Sequence, residues 1–265
     1  MNSDDDDRRG GEASSTGDGK GPSRGKELLE RLRTEPFNIL TEEKLAAHPY
    51  VHAAEQGTLT IEQRRAFAQE QYHIQPSDAI SFSALAGHTG FVPVSLTDTS
   101  IPKAVRNEND LFQFLLGGEL YASKLLLQYA QKLGLDENSL KRHQTSALAQ
   151  AYPSYWSRLA LSGNRAAGAV ACAVNFPAWG RMCQRLLQAL ADRTKEYGYA
   201  DGVDDPALAF VKFFATPIDN LDEMAIAIIE EEQEDISYED LVEHVRLLQQ
   251  YEVFFWDAIM GEETA

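Results

Sequence analysis

The sequence predicts an all-α protein, a bundle of roughly eight to ten helices. Three observations carry this. Helix caps and stop signals recur along the chain. Apolar residues recur at three- and four-residue steps, and no segment alternates with the β-branched enrichment that strands need. At 265 residues and 43 % hydrophobic composition, the chain can fill one good core in a single domain.

Residues 1 to 25 are Gly, Ser and charge with almost nothing apolar, so a disordered tail is expected there, followed by one helical domain over 26 to 265. HPYVHAAEQ reads as a short helix that Gly57 stops. Thr60 and Gln63 have capping-box spacing and open a helix from Ile61 to about Ala86, with Pro76 inside it. A loop with Gly87, Gly90, Pro93 and Pro102 follows. The stretch from Asn107 to Gly134 is helical, with an interruption expected at Gly117-Gly118, and a short helix begins near Ser139.

Tyr152-Pro153 starts the next helix, and Ser162-Gly163-Asn164 breaks it. Residues 165 to 197 read as one long helix, in which Pro177 frees the carbonyl of Ala173 to bond elsewhere. Pro206 opens a helix to about Ala215, and Pro217 opens another that ends near Glu234. Ser237 with Asp240 caps the last helix, about 238 to 260.

The net charge is −17, and residues 196 to 265 alone carry nineteen acids against Lys212 and Arg246. Such a surface disfavours phosphate-backbone binding, so no nucleic-acid partner is expected. The run from Glu230 to Asp235 reads as a solvated helix end. Cys172 and Cys183 lie about three helical turns apart, too far to bridge, and read as reduced thiols. No run of eighteen apolar residues and no apolar leader occurs, so a soluble cytoplasmic protein without a membrane partner is expected.

In the last helix, Leu241, Val245, Leu248, Glu252, Phe255 and Ile259 follow steps of four and three, which puts the carboxyl of Glu252 on the buried stripe. A buried carboxyl must be bonded, paired or protonated, and such groups serve as general acids. On the helix from Ile61, Glu70, His73 and Ser77 share one face, while Phe67, Gln71, Ile74, Asp78 and Leu85 share the next. Glu70-Gln71-Tyr72-His73 also has di-iron Glu-x-x-His spacing, but no second copy exists, so no metal and no cofactor are assigned. In the long helix, Cys172, Phe176, Trp179, Cys183, Leu186 and Leu190 form the apolar stripe, with Asn175 at its edge.

Three segments then carry a family resemblance: HPYVHAAEQGTLTIEQRRAFAQEQY (48 to 72), AYPSYWSRLALSGN (151 to 164) and YEVFFWDAI (251 to 259). In this order, over residues 35 to 262, the chain resembles the TenA family, also called thiaminase II or aminopyrimidine aminohydrolase, of the haem-oxygenase-like fold. The resemblance implies a central pocket, a homo-oligomer (dimer or tetramer), and a cysteine, a glutamate, an aspartate and tyrosines that handle an aminopyrimidine. The family's terminal glutamate falls on Glu252, its ring-stacking phenylalanine on Phe255 and a pocket tyrosine on Tyr152. Two positions depart. The family's Gln-Asp-Tyr is met by Glu70-Gln71-Tyr72, so the amine-recognising aspartate becomes Gln71, and the nucleophile position is Asn175, with Cys172 three residues earlier.

Three functions follow as expectations. The first is a TenA-like hydrolase acting on a C–N bond of a small nitrogen heterocycle of the aminopyrimidine or thiamin class. There Glu252 is the general acid/base, Cys172 or Asn175 sits at the reaction centre, and Glu70, Gln71, His73, Tyr152, Phe176, Trp179 and Phe255 hold substrate. The second is a binding or regulatory protein that keeps the pocket without turnover. The third is a metal-dependent oxidase built from Glu70, His73, Glu119, His244 and Glu252.

Overall fold

Side-chain caps start two of the helices, at Thr60 and Ser237, where the sequence places them. Gln63 N donates to Thr60 Oγ1 at 3.1 Å while Thr60 N donates to Gln63 Oε1 at 3.0 Å. Asp240 N donates to Ser237 Oγ at 3.1 Å, and each such cap contributes about 1 kcal/mol. Gly57 (φ 77°) and Gly163 (φ 68°) end their helices in the left-handed region that favours glycine.

A computed structural model describes residues 23–91, 100–232 and 237–261. The elements are α1 (Arg24–Arg33), α2 (Pro36–Ala46), α3 (Pro49–Gln56), α4 (Ile61–Leu85), α5 (Leu111–Lys132), α6 (Glu137–Lys141), α7 (Ala147–Ser162), α8 (Arg165–Asp192), α9 (Thr194–Tyr197), α10 (Ala209–Ala215), α11 (Leu221–Glu231) and α12 (Tyr238–Met260), with two 3-10 turns before α10. Among the described residues there is no strand, and ten of the helices exceed five residues, so the all-α expectation holds. No described helix is long and apolar enough to cross a membrane. The expected tail up to residue 22, Pro93, and Gln233, Glu234 and Asp235 of the acidic run lie outside the described residues.

Four boundaries differ from expectation. Helix α5 runs unbroken through Gly117-Gly118, where an added Cβ would lie 3.4 Å from Ile101 and 3.5 Å from Phe213. Both glycines are helical and in ordinary contact with these side chains, so neither stops the helix. Helix α7 begins under Ser146, whose Oγ accepts from Leu148 N, and Pro153 sits inside it. Helix α8 ends at Asp192 and α9 follows after Arg193. Pro217 belongs to the connection between α10 and α11, because Asn220 adopts φ 57° immediately before Leu221.

Two apolar clusters fill the bundle. One gathers Tyr50, Phe67, Tyr129, Phe210, Phe255 and Trp256, and the other Phe82, Phe112, Trp156, Val170, Val245 and Leu248. Helices α4, α8 and α12 run through both. Between Phe67 and Phe82, α4 buries Gln71, Gln75 and Asp78 at steps of four and three, and between Leu248 and Phe255, α12 buries Gln249 and Glu252. A polar waist thus separates two apolar halves, and burying so many polar groups requires that they bond to one another or to a ligand.

Pro177 interrupts the ladder of α8 as expected. Arg33 Nη2 donates to the freed Ala173 carbonyl at 2.8 Å, and the same guanidinium grips Asp222 of α11 through bonds of 2.7 and 2.6 Å.

Candidate functional site

The polar waist opens into a cavity of about 860 Å³. Its lining draws on α4 (Gln71, Gln75, Asp78), α5 (Glu119), α7 (Tyr152), α8 (Asn175, Phe176, Trp179) and α12 (Glu252, Phe255). Exposed Arg181 and Gln184 of α8, and Thr216, Pro217 and Asp219 after α10, also belong to the lining, so the cavity meets solvent there.

Glu252 is 2 % exposed, on the stripe that the spacing predicts, with Leu241, Val245, Leu248, Phe255 and Ile259 all buried beside it. Asn175 Nδ2 donates to its Oε2 at 2.5 Å, and the Trp256 indole reaches its Oε1 at 3.4 Å. A chain of amides holds Asn175 in turn. Its Nδ2 also donates to Gln249 Oε1 at 2.9 Å, its Oδ1 accepts from the Tyr152 hydroxyl at 3.1 Å, and Gln249 Nε2 donates to Asn38 Oδ1. Asn38 Nδ2 ends the chain on the Arg33 carbonyl at 3.2 Å. Burial pushes the Glu252 carboxyl up to about 8, against the pull of the indole and of Asn175. At neutral pH the group is mostly protonated.

A second acidic group stands in the same cavity. Asp78 and Glu119 are both buried, and Gln75 lies beside them on α4. Burial pushes Glu119 up to about 8, while a bond from Gln75 draws it back. Burial, then the nearby charge of Glu119, pushes Asp78 well above the usual carboxylate range.

Aromatic rings supply the apolar wall. Trp179 stacks on Phe67 at 6.3 Å between centroids with planes 3° apart, and meets Phe255 edge-on at 5.6 Å. Trp179 and Phe255 therefore hold each other's ring planes where both line the cavity.

Of the site residues expected from sequence, the structure brings together Gln71, Tyr152, Asn175, Phe176, Trp179, Glu252 and Phe255. Three others lie outside the cavity lining. Glu70, one residue and about 100° around α4 from Gln71, faces away and accepts from His143 Nε2 at 2.9 Å, Ser146 N at 2.8 Å and Gln150 Nε2 at 2.9 Å. His73 meets the Leu140 carbonyl at 3.1 Å on that same outer side. Cys172 lies in the second apolar cluster outside the cavity lining, and burial, then the charge of Asp78, pushes its thiol well up.

The five donors considered for a metal are dispersed as well. His244 Nδ1 meets the Tyr155 hydroxyl at 2.7 Å, Glu70 is held by α6 and α7 neighbours, and Glu119 and Glu252 have the separate partners described above. Among the described residues no three His, Cys, Asp or Glu side chains converge for a metal. Sequence reading missed Asn38 and Gln249 altogether and did not pair Asp78 with Glu119. Regular polar spacing on α4 was the available signal, but its partner is on another helix.

A model of the TENA/THI-4/PQQC family matches residues 40–262. No curated protein matches the chain significantly by sequence. Among solved structures, a TenA homologue from P. horikoshii OT3 is 15 % identical, covers 89 % of this chain and 99 % of its own, and superposes with a TM-score of 0.62. A TenA homologue from Pseudomonas syringae pv. tomato str. DC3000 is 12 % identical over 91 % of this chain and 98 % of its own, with a TM-score of 0.65. A domain with a heme oxygenase-like fold from Shewanella denitrificans OS217 is 11 % identical over 89 % and 92 %, with a TM-score of 0.52. Likenesses at these identities speak for the fold, which is the haem-oxygenase-like bundle.

Proposed function

The chain belongs to the TENA/THI-4/PQQC family, and we propose that it binds a small, flat nitrogen heterocycle of the aminopyrimidine or thiamin class in the waist cavity, anchored on Glu252. The observation that carries this is the pairing of a buried, mostly neutral carboxyl with aromatic walls in one cavity. A neutral carboxyl can give its proton to a ring nitrogen and accept from the adjacent amine, while Phe176, Trp179 and Phe255 offer the ring a face. The amide chain through Asn175 holds the carboxyl before the ligand arrives, which reduces the ordering cost of binding.

No thiol lines the cavity, and a carboxamide stands at position 175, so this reading contains no covalent thiolate step. Hydrolysis of a C–N bond is the second reading, favoured by a Glu252 carboxyl that titrates at about 8, near working pH. In it water's oxygen bonds to the carbon whose C–N bond breaks, Glu252 gives its proton to the departing amine, and the Glu252 carboxylate takes the proton that water sheds. A reducing cytoplasm and a homo-oligomer complete the proposal, supported by two free buried thiols and by exposed Ile39, Leu40, Phe114 and Leu161.

Thermal stabilisation by an aminopyrimidine and by thiamin tests the binding. Saturation to about a hundred times Kd stabilises by about 2.7 kcal/mol, and Glu252→Gln should remove most of that gain. Lack of stabilisation by either compound, or an unchanged gain in Glu252→Gln, would overturn the proposal. Chromatographic detection of product separates hydrolysis from binding.

A further inference from the structure

We propose that Asp78, Glu119 and Gln75 form a second subsite of the cavity, separate from Glu252, that takes a nitrogen cation bearing several N–H donors, such as an amidinium. The inference rests on reading the cavity as a ligand pocket and adds what its other polar end recognises.

Three acceptor atoms at that end have no partner within the protein: Gln75 Oε1, Asp78 Oδ1 and Glu119 Oε2. All three residues line the cavity, at 2 %, 4 % and 8 % exposure respectively. Leaving a buried acceptor without a donor is costly, so three in one place is not what a purely structural network looks like. The polar groups nearest them are Gln71 on the same helix and Tyr152 on α7, with Glu252 across the cavity and the Cys172 thiol of α8 buried outside the lining. None of these is a cation. Among the described residues, no basic side chain offsets the charge of either carboxyl.

Both carboxyls hold protons while the cavity is empty, and a cation that displaces a proton meets acceptors in excess, so the site calls for donors with positive charge. An amidinium presents four N–H groups on a flat cation, enough for both carboxyls and the amide oxygen together. The Glu252 end differs in kind, because Asn175 and Trp256 already donate to its carboxyl. One end of the cavity is preset by two donors from the protein, whereas at the other Gln75 donates to Glu119 and three acceptor atoms remain without a partner.

Calorimetric titration with benzamidine tests this. Wild-type protein should bind it, Asp78→Asn with Glu119→Gln should weaken binding at least tenfold, and Glu252→Gln should leave it within threefold. Aminopyrimidine affinity should show the opposite pattern, so failure here is distinguishable from failure of the Glu252 reading. Benzamidine affinity unchanged in the Asp78→Asn, Glu119→Gln protein, or no binding by wild type, would overturn the subsite. Should that double variant not fold, Glu252→Gln protein still decides. Its uptake of benzamidine at neutral pH should release about one proton, read as heat that scales with the buffer's ionisation enthalpy. Binding without proton release would overturn the inference.

Discussion

Replacing Glu252 by Gln should flatten one part of the protein's pH–stability profile. The carboxyl titrates at about 8 in the fold against an ordinary 4.5. The folded state thus holds this proton more tightly than the unfolded chain does. Stability contributed by the neutral group is present in full below about pH 4.5, is lost progressively as pH rises, and is exhausted above about pH 8. At about 1.4 kcal/mol per pH unit the whole gap corresponds to about 5 kcal/mol, of which on the order of 3 to 4 falls between pH 5 and pH 8. For a domain of this size that is about 10 °C in melting temperature.

The assay is thermal unfolding by far-ultraviolet circular dichroism, in steps from about pH 5 to about pH 9. The quantity of interest is the wild-type melting temperature minus that of Glu252→Gln. Asp78 and Glu119 titrate upward in both proteins, so their slopes cancel in this difference. The difference should fall by about 10 °C toward pH 8 and then level. A difference that stays constant across the range would mean Glu252 is not a buried neutral acid, and the reading of the Glu252 end would fail with it.

Two further outcomes follow from the packing. Native wild-type protein should show no thiol reactive to a disulfide reagent, since Cys172 and Cys183 are both fully buried, whereas Asn175→Cys should add one reactive equivalent from the cavity wall. That substitution also removes three hydrogen bonds and should cost about 3 kcal/mol, and rapid labelling of wild type would refute the placement of Cys172. Gly168→Ala should lower the denaturation midpoint. Its Cβ would sit 2.9 Å from Phe112 Cζ, and the overpacking cost of about 1–3 kcal/mol exceeds the helix-propensity gain of about 1; a more stable variant would contradict this.

Much of the framework was legible because its signals are local. Thr60 with Gln63, Ser237 with Asp240, Gly57 and Gly163 each act within a few residues, and Glu252 could be placed by the spacing of its own helix. What escaped depends on two helices at once. Gly117-Gly118 looks like a break until Ile101 and Phe213 are found against it, and Pro153 looks like a start until Ser146 is seen capping the turn before. Glu70 has the spacing of a site residue, yet His143, Ser146 and Gln150 lie 73, 76 and 80 residues away and draw it outward. Choosing between Cys172 and Asn175 needed the positions of Gln249 and Tyr152, which periodicity along α8 does not contain.

The clasp between Arg33, the proline-freed carbonyl of Ala173 and Asp222 has a consequence in time. These partners follow Arg33 by 140 and 189 residues, so α1 leaves the ribosome long before either exists. At bacterial to eukaryotic elongation rates the wait is roughly ten to forty seconds. Throughout it Leu29 and Leu32, fully covered in the finished protein, lack the surfaces of α8 and α11 on which α1 mainly packs. The helix made first in the described chain is thus among the last to dock, and a chaperone acting during synthesis has α1 as an early client segment.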